Sequence, residues 1–207
     1  MTIDEGYIKY DIDWIPGPAP DTKGASELEA CRRPLFEAGL IGEYKDLGIG
    51  YGNISRRSTG KGLFLISGTQ TGHLETTNEQ HYSLVTHVDA ATNTVRCEGP
   101  VKASSEAMTH AAIYALSDAI EAVVHVHSKA LWAQYINRLP TSDPAIAYGT
   151  PEMARDFARL YAEAGFDRSG VAVMAGHEEG LISYGPSLEV AAKRILALVL
   201  PAESEPG

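Results

Sequence analysis

The stretch Ala122-Val-Val-His-Val-His-Ser128 determines the predicted fold of this chain. Alternate residues of a β-strand project to the same face of a sheet, so a strand here would place His125 and His127 side by side. Val124 and Val126 would then pack the opposite face into a core. Two imidazoles on one face are typical of a catalytic metal site, in which a third protein ligand leaves one coordination position open. We therefore predict a strand that carries two ligands of a divalent metal.

A His-X-His pair needs a third ligand from a distant segment. His177 is the best candidate, because it lies in the turn Gly176–Gly180, where glycines let the backbone approach closely. A single buried histidine is more often a core residue than a ligand, and an exposed turn histidine is the alternative interpretation of His177. Burying two imidazoles without partners is costly, so the paired spacing favours metal ligation.

The segment Ser104-Ser105-Glu106 begins a predicted helix that runs to about Leu116, with Ser104 or Ser105 as its N-cap. Unpaired backbone N–H groups at such an end favour anions. An N-cap followed by a glutamate is also a common, purely structural arrangement. Next to a metal, Glu106 would be a candidate general base or temporary ligand. His110 shares a helix face with Glu106, and we expect it to be a core or positioning residue rather than a fourth ligand.

Two loops rich in glycine and hydroxyl groups, Gly50–Ser55 and Ile66–Gly72, adjoin predicted strands near Gly52–Arg56 and Leu63–Ser67. Their backbone N–H groups can hold a phosphate or carboxylate, although such loops are more often plain turns. Neither loop matches the P-loop or the dinucleotide-binding fingerprint, so nucleotide binding is not indicated.

The rest of the chain alternates predicted strands and helices. Residues 1–24 are rich in Pro and Gly and predict an extended N-terminal arm. Residues 25–200 form one predicted domain, which Ser26-Glu-Leu-Glu29 opens as the capping box of a helix to about Gly39, and 201–207 form a short C-terminal tail. Further predicted elements are a hairpin of Tyr82–Val88 and Thr94–Glu98, helices Lys129–Asn137, Thr150–Gly165 and Ser187–Leu200, and strands Val171–Met174 and Leu181–Tyr184. Strands separated by helices favour a sheet covered on both faces, and the hairpins mean that it is not purely parallel.

Composition narrows the class of partner. The formal net charge of −10 argues against nucleic acid or an anionic membrane surface as the main partner. No apolar run reaches the length of a membrane span, and the N-terminus does not resemble a signal peptide. Two cysteines cannot build a disulfide framework. We therefore expect a cytoplasmic protein whose partner is a small molecule.

Taken in order, five fragments of the chain resemble the class II aldolase/adducin family. They are Gly52-Asn53-Ile54-Ser55, Ser67-Gly68, Ser104-Ser105-Glu106, His125-Val-His127 and the late His177. The resemblance implies a three-layer α/β/α sandwich with a central mixed, largely antiparallel sheet. It also implies a cyclic homotetramer with zinc, or another divalent metal, at the subunit boundaries. Members cleave or form carbon–carbon bonds in sugar phosphates, or epimerise, dehydrate or decarboxylate related compounds, while adducin heads have no known enzyme role.

The same resemblance implies roles for individual residues. His125, His127 and His177 would be the metal ligands, and Glu106 would be the acid/base carboxylate of the aldolase branch, where the epimerase branch carries Asp. The residues that match the site for the anionic end of a substrate are Asn53, Ser67, Gly68, Ser104 and Ser105. Tyr148 matches a proton-donating tyrosine that fuculose-type aldolases supply from a neighbouring subunit. Two glutamates separate His177 from Gly180, which leaves Glu178 as an alternative third ligand.

We therefore expect a metal-dependent lyase of the aldolase type, active in carbohydrate metabolism on a small, anionic hydroxy-carbonyl compound or sugar phosphate. The metal would act as a Lewis acid that stabilises an enediolate, and Glu106 would move the proton. Alternatives are epimerase, dehydratase or decarboxylase chemistry at the same site, and a non-catalytic adducin-like binding module. A histidine pair that merely orders the core is a further alternative.

Overall fold

The computed structural model describes residues 7–58 and 63–199 of the chain. Its strands are β1 (Asp11–Pro16), β2 (Gly42–Tyr44), β3 (Ile49–Tyr51), β4 (Asn53–Arg57), β5 (Phe64–Ser67), β6 (Tyr82–Asp89), β7 (Thr94–Gly99), β8 (Ala122–His127), β9 (Val171–Val173) and β10 (Gly180–Gly185). Its helices are α1 (Thr22–Glu37), α2 (Ala107–Tyr114), α3 (Lys129–Tyr135), α4 (Pro151–Glu163), α5 (Phe166–Ser169) and α6 (Leu188–Val199), with a 3₁₀ turn at Glu79–His81.

The central sheet has eight strands in the order β1-β7-β6-β5-β4-β8-β10-β9, and β2 and β3 form a separate hairpin. β1 runs parallel to β7, whereas the other neighbouring pairs are antiparallel. The sheet is therefore mixed and largely antiparallel, as predicted. The predicted hairpin of β6 and β7 is also confirmed.

Helices cover both faces of this sheet. Val123 belongs to the core that α2 and α4 cover, whereas Val124 and Val126 belong to a second core beneath α1 and α6. Successive residues of β8 thus point into different layers, as the period of a strand requires. The fold is the predicted three-layer α/β/α sandwich, and the prediction that Val124 and Val126 face a core is confirmed.

Strand β8 lies in the middle of the sheet, between β4 and β10, and all of its residues are buried. Asn53 of β4 is directly opposite His125, and Gly180 of β10 is directly opposite His127. The two histidines therefore face the same side as Val123, and both flanking strands supply their neighbours.

Helix α1 begins before the predicted capping box. Its N-cap is Asp21, whose carboxylate accepts a 3.0 Å hydrogen bond from the Gly24 N–H. The prediction that Ser26 opens this helix is therefore wrong. An aspartate upstream satisfies the same unpaired N–H groups as a serine would, so the helix gains a further turn at its start.

Helix α2 begins slightly later than predicted. Its N-cap position is Glu106 rather than Ser104 or Ser105, and the Glu106 side chain makes no capping hydrogen bond. Ser104 Oγ instead accepts a 3.2 Å hydrogen bond from the Glu106 N–H, which closes a tight turn before the helix. Both serines therefore lie outside the helix, next to the start of its axis.

Four strands and helices are missing from the sequence-based prediction: β1, the two strands of the β2–β3 hairpin and α5. β1 lies within the predicted arm and forms the edge of the sheet, where Pro16 is tolerated because an edge strand has unpaired N–H positions. The boundary expected between residues 24 and 25 falls inside α1. Residues 1–6 of the predicted arm, Leu200 and the predicted tail 201–207 lie outside the described residues.

Two further observations concern the class of protein. In the part of the chain that the structure describes, no helix combines the length and apolar character needed to cross a bilayer. Cys31 and Cys97 are both free thiols.

Candidate metal centre and anion cradle

Three buried histidines converge at the end of β8. His125 Nε2 lies 3.0 Å from His127 Nε2, which in turn lies 3.1 Å from His177 Nε2. His177 comes from the turn between β9 and β10. A Cβ atom on Gly180 would lie 2.7 Å from His177 Cδ2 and 3.2 Å from His125 Cε1, so glycine at this position leaves room for the rings. The structure thus brings together the three histidines that the sequence pointed to.

The outer ring nitrogens define the tautomers of two of these histidines. His125 Nδ1 lies 3.1 Å from the Leu181 carbonyl oxygen, which only accepts hydrogen bonds, so Nδ1 carries the proton. His127 Nδ1 lies 3.0 Å from Tyr44 Oη, whose own proton is donated to Glu179 Oε2. His127 Nδ1 therefore also carries a proton. In both rings Nε2 presents a lone pair to the centre of the cluster.

Two lone pairs that face each other at hydrogen-bond distance need a proton or a cation between them. The ligand atoms of the three histidines all lie within 4.8 Å of one another. At zinc–nitrogen bond lengths of about 2.0–2.1 Å, tetrahedral ligand atoms lie about 3.3 Å apart, which is close to the observed separations. The donor set therefore fits a divalent metal such as zinc.

Burial sets the charge of His125 and His127. It lowers the pKa of His125 and His127 well below the ordinary value, and the neighbouring His177 lowers both further. Neutral imidazole is the form that binds metals. Both rings are therefore in their ligand form at neutral pH.

Glu106 lies beside this cluster. It is fully buried, and its Oε1 atom is 3.6 Å from His177 Nε2. Burying a carboxylate is costly unless a positive charge lies close to it, and a cation bound by the three histidines would supply that charge. The tight turn that precedes α2 places Glu106 here, since it is the residue at which the helix starts.

His110 is buried but is not a member of the histidine cluster. Its Nδ1 atom lies 2.7 Å from Ser55 Oγ, which lies 2.8 Å from Tyr114 Oη. Burial lowers the pKa of His110 to about 3, so the ring is neutral in the folded protein. This placement agrees with the expectation of a core or positioning residue.

Four of the five residues that match a substrate-anion site line one polar cavity. These are Asn53, Gly68, Ser104 and Ser105, and residues of the two Gly-rich loops complete the lining. We call this cavity the anion cradle. Its volume is about 10 Å³, so it admits about one water-sized group, such as a single oxygen of a larger anion. Asn53 Oδ1 is buried and accepts no hydrogen bond within the described residues, so it can accept one from a donor group.

Ser67 does not line the cradle. Its hydroxyl accepts a 3.2 Å hydrogen bond from the Ile54 N–H and donates one of 3.2 Å to the Ile54 carbonyl. The hydroxyl therefore joins β5 to β4 instead of facing a ligand. A role for Ser67 in contacting substrate stays a prediction.

Arg32 is a residue that the sequence analysis did not find. Its guanidinium is buried and donates hydrogen bonds to the carbonyls of Gly72 at 3.1 Å and Leu74 at 2.6 Å, with that of Thr71 at 3.4 Å. Burial lowers the pKa of Arg32 from its ordinary value, and the nearby Glu29 opposes the shift. Arg32 thus holds the loop that forms one wall of the anion cradle. No motif marks it, since it resembles any surface arginine on a helix.

Tyr148 lies beside the cluster in the same chain. Its ring centroid is 4.2 Å from that of His177, and its hydroxyl donates a 3.3 Å hydrogen bond to the Tyr7 carbonyl. The Lys9 ammonium lies 3.7 Å from the centroid of the Tyr148 ring. The N-terminal segment before β1 therefore covers the outer side of this tyrosine, and the residue expected from a neighbouring subunit is found next to the chain's own His177.

The two glutamates after His177 differ in their surroundings. The Glu178 side chain is exposed and lies outside the cluster of potential ligands. Glu179 is partly buried and accepts the hydrogen bond from Tyr44. The structure therefore places His177, and not Glu178, among the three converging side chains.

The chain matches known proteins in sequence and in fold. The family model of the class II aldolase and adducin N-terminal domain matches residues 44–204. Among solved structures, YgbL of Escherichia coli, a candidate aldolase, epimerase or decarboxylase, shares 22% identity and a TM-score of 0.62 over 86% of this chain and 85% of that one. An L-fuculose 1-phosphate aldolase shares 20% identity and a TM-score of 0.63 over 87% and 84%. A sugar-phosphate aldolase from Thermotoga maritima shares 14% identity and a TM-score of 0.59 over 86% and 94%. At these identities the structures show a common fold.

Proposed function

This chain belongs to the class II aldolase and adducin N-terminal domain family, and we propose that it is a metal-dependent lyase of the aldolase type. Its substrate would be a small hydroxy-carbonyl compound or sugar phosphate, in which it cleaves or forms a carbon–carbon bond. The single observation that carries the proposal is the convergence of three imidazole Nε2 atoms beside the buried carboxylate of Glu106.

In this proposal His125, His127 and His177 hold a divalent cation, with zinc favoured by the nitrogen donor set. When bound, the cation would supply Lewis-acid polarisation of the hydroxyl and carbonyl oxygens of the substrate. The sheet holds the first two of these residues rigidly, because β8 is paired on both sides and its Val124 and Val126 are packed beneath α1 and α6. A pre-formed site of this kind needs little rearrangement when substrate arrives.

Glu106 is the group that moves the proton. In the cleavage direction a base takes the proton from the hydroxyl next to the breaking bond, and a proton is later delivered to the carbon that leaves with the bonding electrons. The Glu106 carboxylate lies at the cluster, within reach of a substrate whose oxygens face the three histidines. Tyr148, whose ring centroid lies 4.2 Å from that of His177, is the candidate donor of a proton to the product that leaves.

The anion cradle would hold the anionic end of the substrate. Hydroxyl and amide groups of Asn53, Ser104 and Ser105, and the backbone around Gly68, line it. Backbone N–H groups of this kind bind phosphate or carboxylate oxygens without a cationic side chain. Anchoring that end fixes the distance between the reacting carbon and Glu106.

Assembly and location are part of the same proposal. By the family resemblance we propose a homotetramer that works in carbohydrate metabolism in the cytoplasm. The acidic net charge of −10 supports a small-molecule partner over nucleic acid.

The first experiment incubates the purified, zinc-loaded protein with phosphorylated and non-phosphorylated hydroxy-ketones and aldehydes, and identifies the products. We expect either release of an aldehyde from a hydroxy-ketone or formation of a carbon–carbon bond between an aldehyde and a hydroxy-ketone. The Glu106→Gln variant should bind zinc normally but lose about 10²–10⁴-fold in kcat, since an amide cannot carry the proton. His125→Ala should lose both zinc and activity. Glu178→Gln removes an exposed carboxylate next to His177 in the same turn and serves as the matched control.

Full activity of a metal-free preparation would refute the proposal. A second candidate activity is epimerase, dehydratase or decarboxylase chemistry, favoured by the description of YgbL as a candidate aldolase, epimerase or decarboxylase. The same product analysis distinguishes them. An epimerase would yield an isomer of the substrate, a dehydratase would yield a dehydrated product, and a decarboxylase would release carbon dioxide, each in place of the aldehyde. Bound zinc without proton exchange on any hydroxy-ketone would instead favour an adducin-like binding module.

A further inference from the structure

Behind the histidine cluster, Tyr44 connects the outer nitrogen of His127 to a carboxylate. Its Oη atom lies 3.0 Å from His127 Nδ1 and donates a 2.7 Å hydrogen bond to Glu179 Oε2. We propose that Tyr44 and Glu179 are positioning residues that strengthen His127 as a metal ligand; this inference rests on the metal site of the proposed function. We call them the Tyr44–Glu179 pair.

The direction of the hydrogen bonds carries the argument. A carboxylate oxygen accepts hydrogen bonds, so Tyr44 uses its hydroxyl hydrogen to donate to Glu179 Oε2. The phenol oxygen must then accept the Nδ1–H of His127. The hydrogen bond to Glu179 polarises the Tyr44 hydroxyl and makes its oxygen a stronger acceptor for the His127 Nδ1–H. This raises the electron density at His127 Nε2 and fixes the plane of the ring.

His125 provides an internal comparison. Its Nδ1–H donates to the Leu181 carbonyl, a neutral acceptor, at 3.1 Å. Hydrogen bonds that involve a charged group are stronger than those between neutral groups. The two ligands on β8 therefore differ: a backbone carbonyl orients His125, whereas a phenol linked to a carboxylate orients His127.

The β2–β3 hairpin holds the phenol in place. Tyr44 ends β2, and its ring centroid lies 4.7 Å from that of Tyr51 on β3, which lies 5.6 Å from that of His127. On the other side, the Ser128 N–H donates a 2.9 Å hydrogen bond to the Glu179 carbonyl. This bond ties the turn that carries Glu179 to the residue that follows His127.

The backbone of Glu179 offers a way to separate a metal-related role from a structural one. Its φ angle is +70°, in the left-handed region that favours glycine. Replacing Glu179 with glycine therefore relieves the backbone and removes the carboxylate at once. If the side chain acts on the metal site, this variant will be at least as stable as the wild type yet will bind metal less tightly.

The test measures the zinc affinity of the full chain by competition with a chromophoric chelator near neutral pH. We expect Tyr44→Phe and Glu179→Gly each to weaken zinc binding by about 10–100-fold, the usual effect of removing a group that supports a metal ligand. The double variant should lose less than the product of the two single effects, because both changes break one chain of hydrogen bonds. The visible absorption of the cobalt-loaded protein should also shift in Tyr44→Phe.

Glu178→Gln is the matched control, since it removes the charge of the neighbouring, exposed glutamate and should leave zinc affinity unchanged. Should Glu179→Gly not fold, Glu179→Gln takes its place, as it keeps an acceptor for Tyr44 but removes the charge. Wild-type zinc affinity and an unshifted cobalt spectrum in the folded variants would overturn this inference alone. A wild-type protein that binds neither zinc nor cobalt would overturn the proposed function together with it.

Discussion

At the scale of single residues, burial controls which groups carry charge. His110 is enclosed between Ser55 and the core, and its folded pKa of about 3 lies below the ordinary value of 6.5. His125 and His127 are shifted in the same direction by the same cause, burial. A neutral imidazole costs less to bury than a charged one, so these histidines of α2 and β8 can lie next to the hydrophobic core.

The pKa of His110 predicts how stability depends on pH. Between about pH 6.5 and pH 3, the unfolded chain binds a proton at His110 and the folded protein does not. Lowering the pH through this window therefore favours unfolding, by up to about 1.4 kcal/mol per pH unit for this one group. In His110→Gln, the free energy of unfolding should fall less steeply as the pH is lowered.

Urea unfolding at several pH values in this window, with a chelator present in every sample, measures the difference. The chelator removes any contribution from metal release. Parallel pH dependences for wild type and His110→Gln would contradict the assignment of a neutral, buried His110.

At the scale of secondary-structure elements, two helices begin at residues other than the predicted capping serines. Asp21 caps α1 although a capping box stands at Ser26, and Glu106 occupies the N-cap position of α2 although two serines precede it. In each case several residues of capping chemistry follow one another in the sequence. The local sequence pattern then does not determine at which of these residues the helix begins. The path of the preceding chain selects one of the candidate capping residues.

Asp21→Ala should lower the free energy of unfolding by about 1 kcal/mol, because the Gly24 N–H loses its acceptor. Ser26→Ala should change it by less, since Ser26 lies inside α1 and alanine favours a helix interior. Urea unfolding of both variants at neutral pH tests this. A larger loss for Ser26→Ala would restore the capping box as the true start of the helix.

At the scale of the whole molecule, the sheet joins segments that are distant in sequence into one site. Strand β8 supplies two histidines, the β9–β10 turn supplies the third, and the start of α2 supplies Glu106. Tyr10, just before β1, also reaches across to donate a 2.6 Å hydrogen bond to the Ser104 carbonyl. Binding of a cation at this junction should therefore stabilise the whole domain.

Zinc should raise the melting temperature of the wild-type protein. At free zinc about 100 times its Kd, linkage adds about 2.7 kcal/mol to the free energy of unfolding, provided that the unfolded chain binds none. For a domain of this size, that corresponds to a rise of roughly 5–10 °C. His125→Ala should show no such rise. Thermal unfolding with and without zinc, followed by circular dichroism, makes the comparison, and equal shifts in both proteins would contradict a site at the histidine cluster.

The sequence by itself determined the features that depend on neighbours along the chain. The period of two in Ala122–His127 fixed that His125 and His127 share a face and that Val124 and Val126 face a core. The hairpin of β6 and β7, the helix that begins at Pro151 and the mixed character of the sheet follow from similarly local signals. The three-layer architecture was predicted from the resemblance of a few short motifs to the class II aldolase/adducin family.

Beyond the three histidines and Glu106, only the tertiary structure decided which distant side chains meet. Arg32 and Tyr44 carry no motif, and their roles arise because α1 and the β2–β3 hairpin pack where the Gly-rich loops and β8 end. Ser67 fits the family motif, yet the pairing of β5 with β4 turns its hydroxyl to the backbone. Strand periodicity is set by local backbone geometry, whereas contacts between segments depend on strand order and packing, which a single sequence does not encode locally.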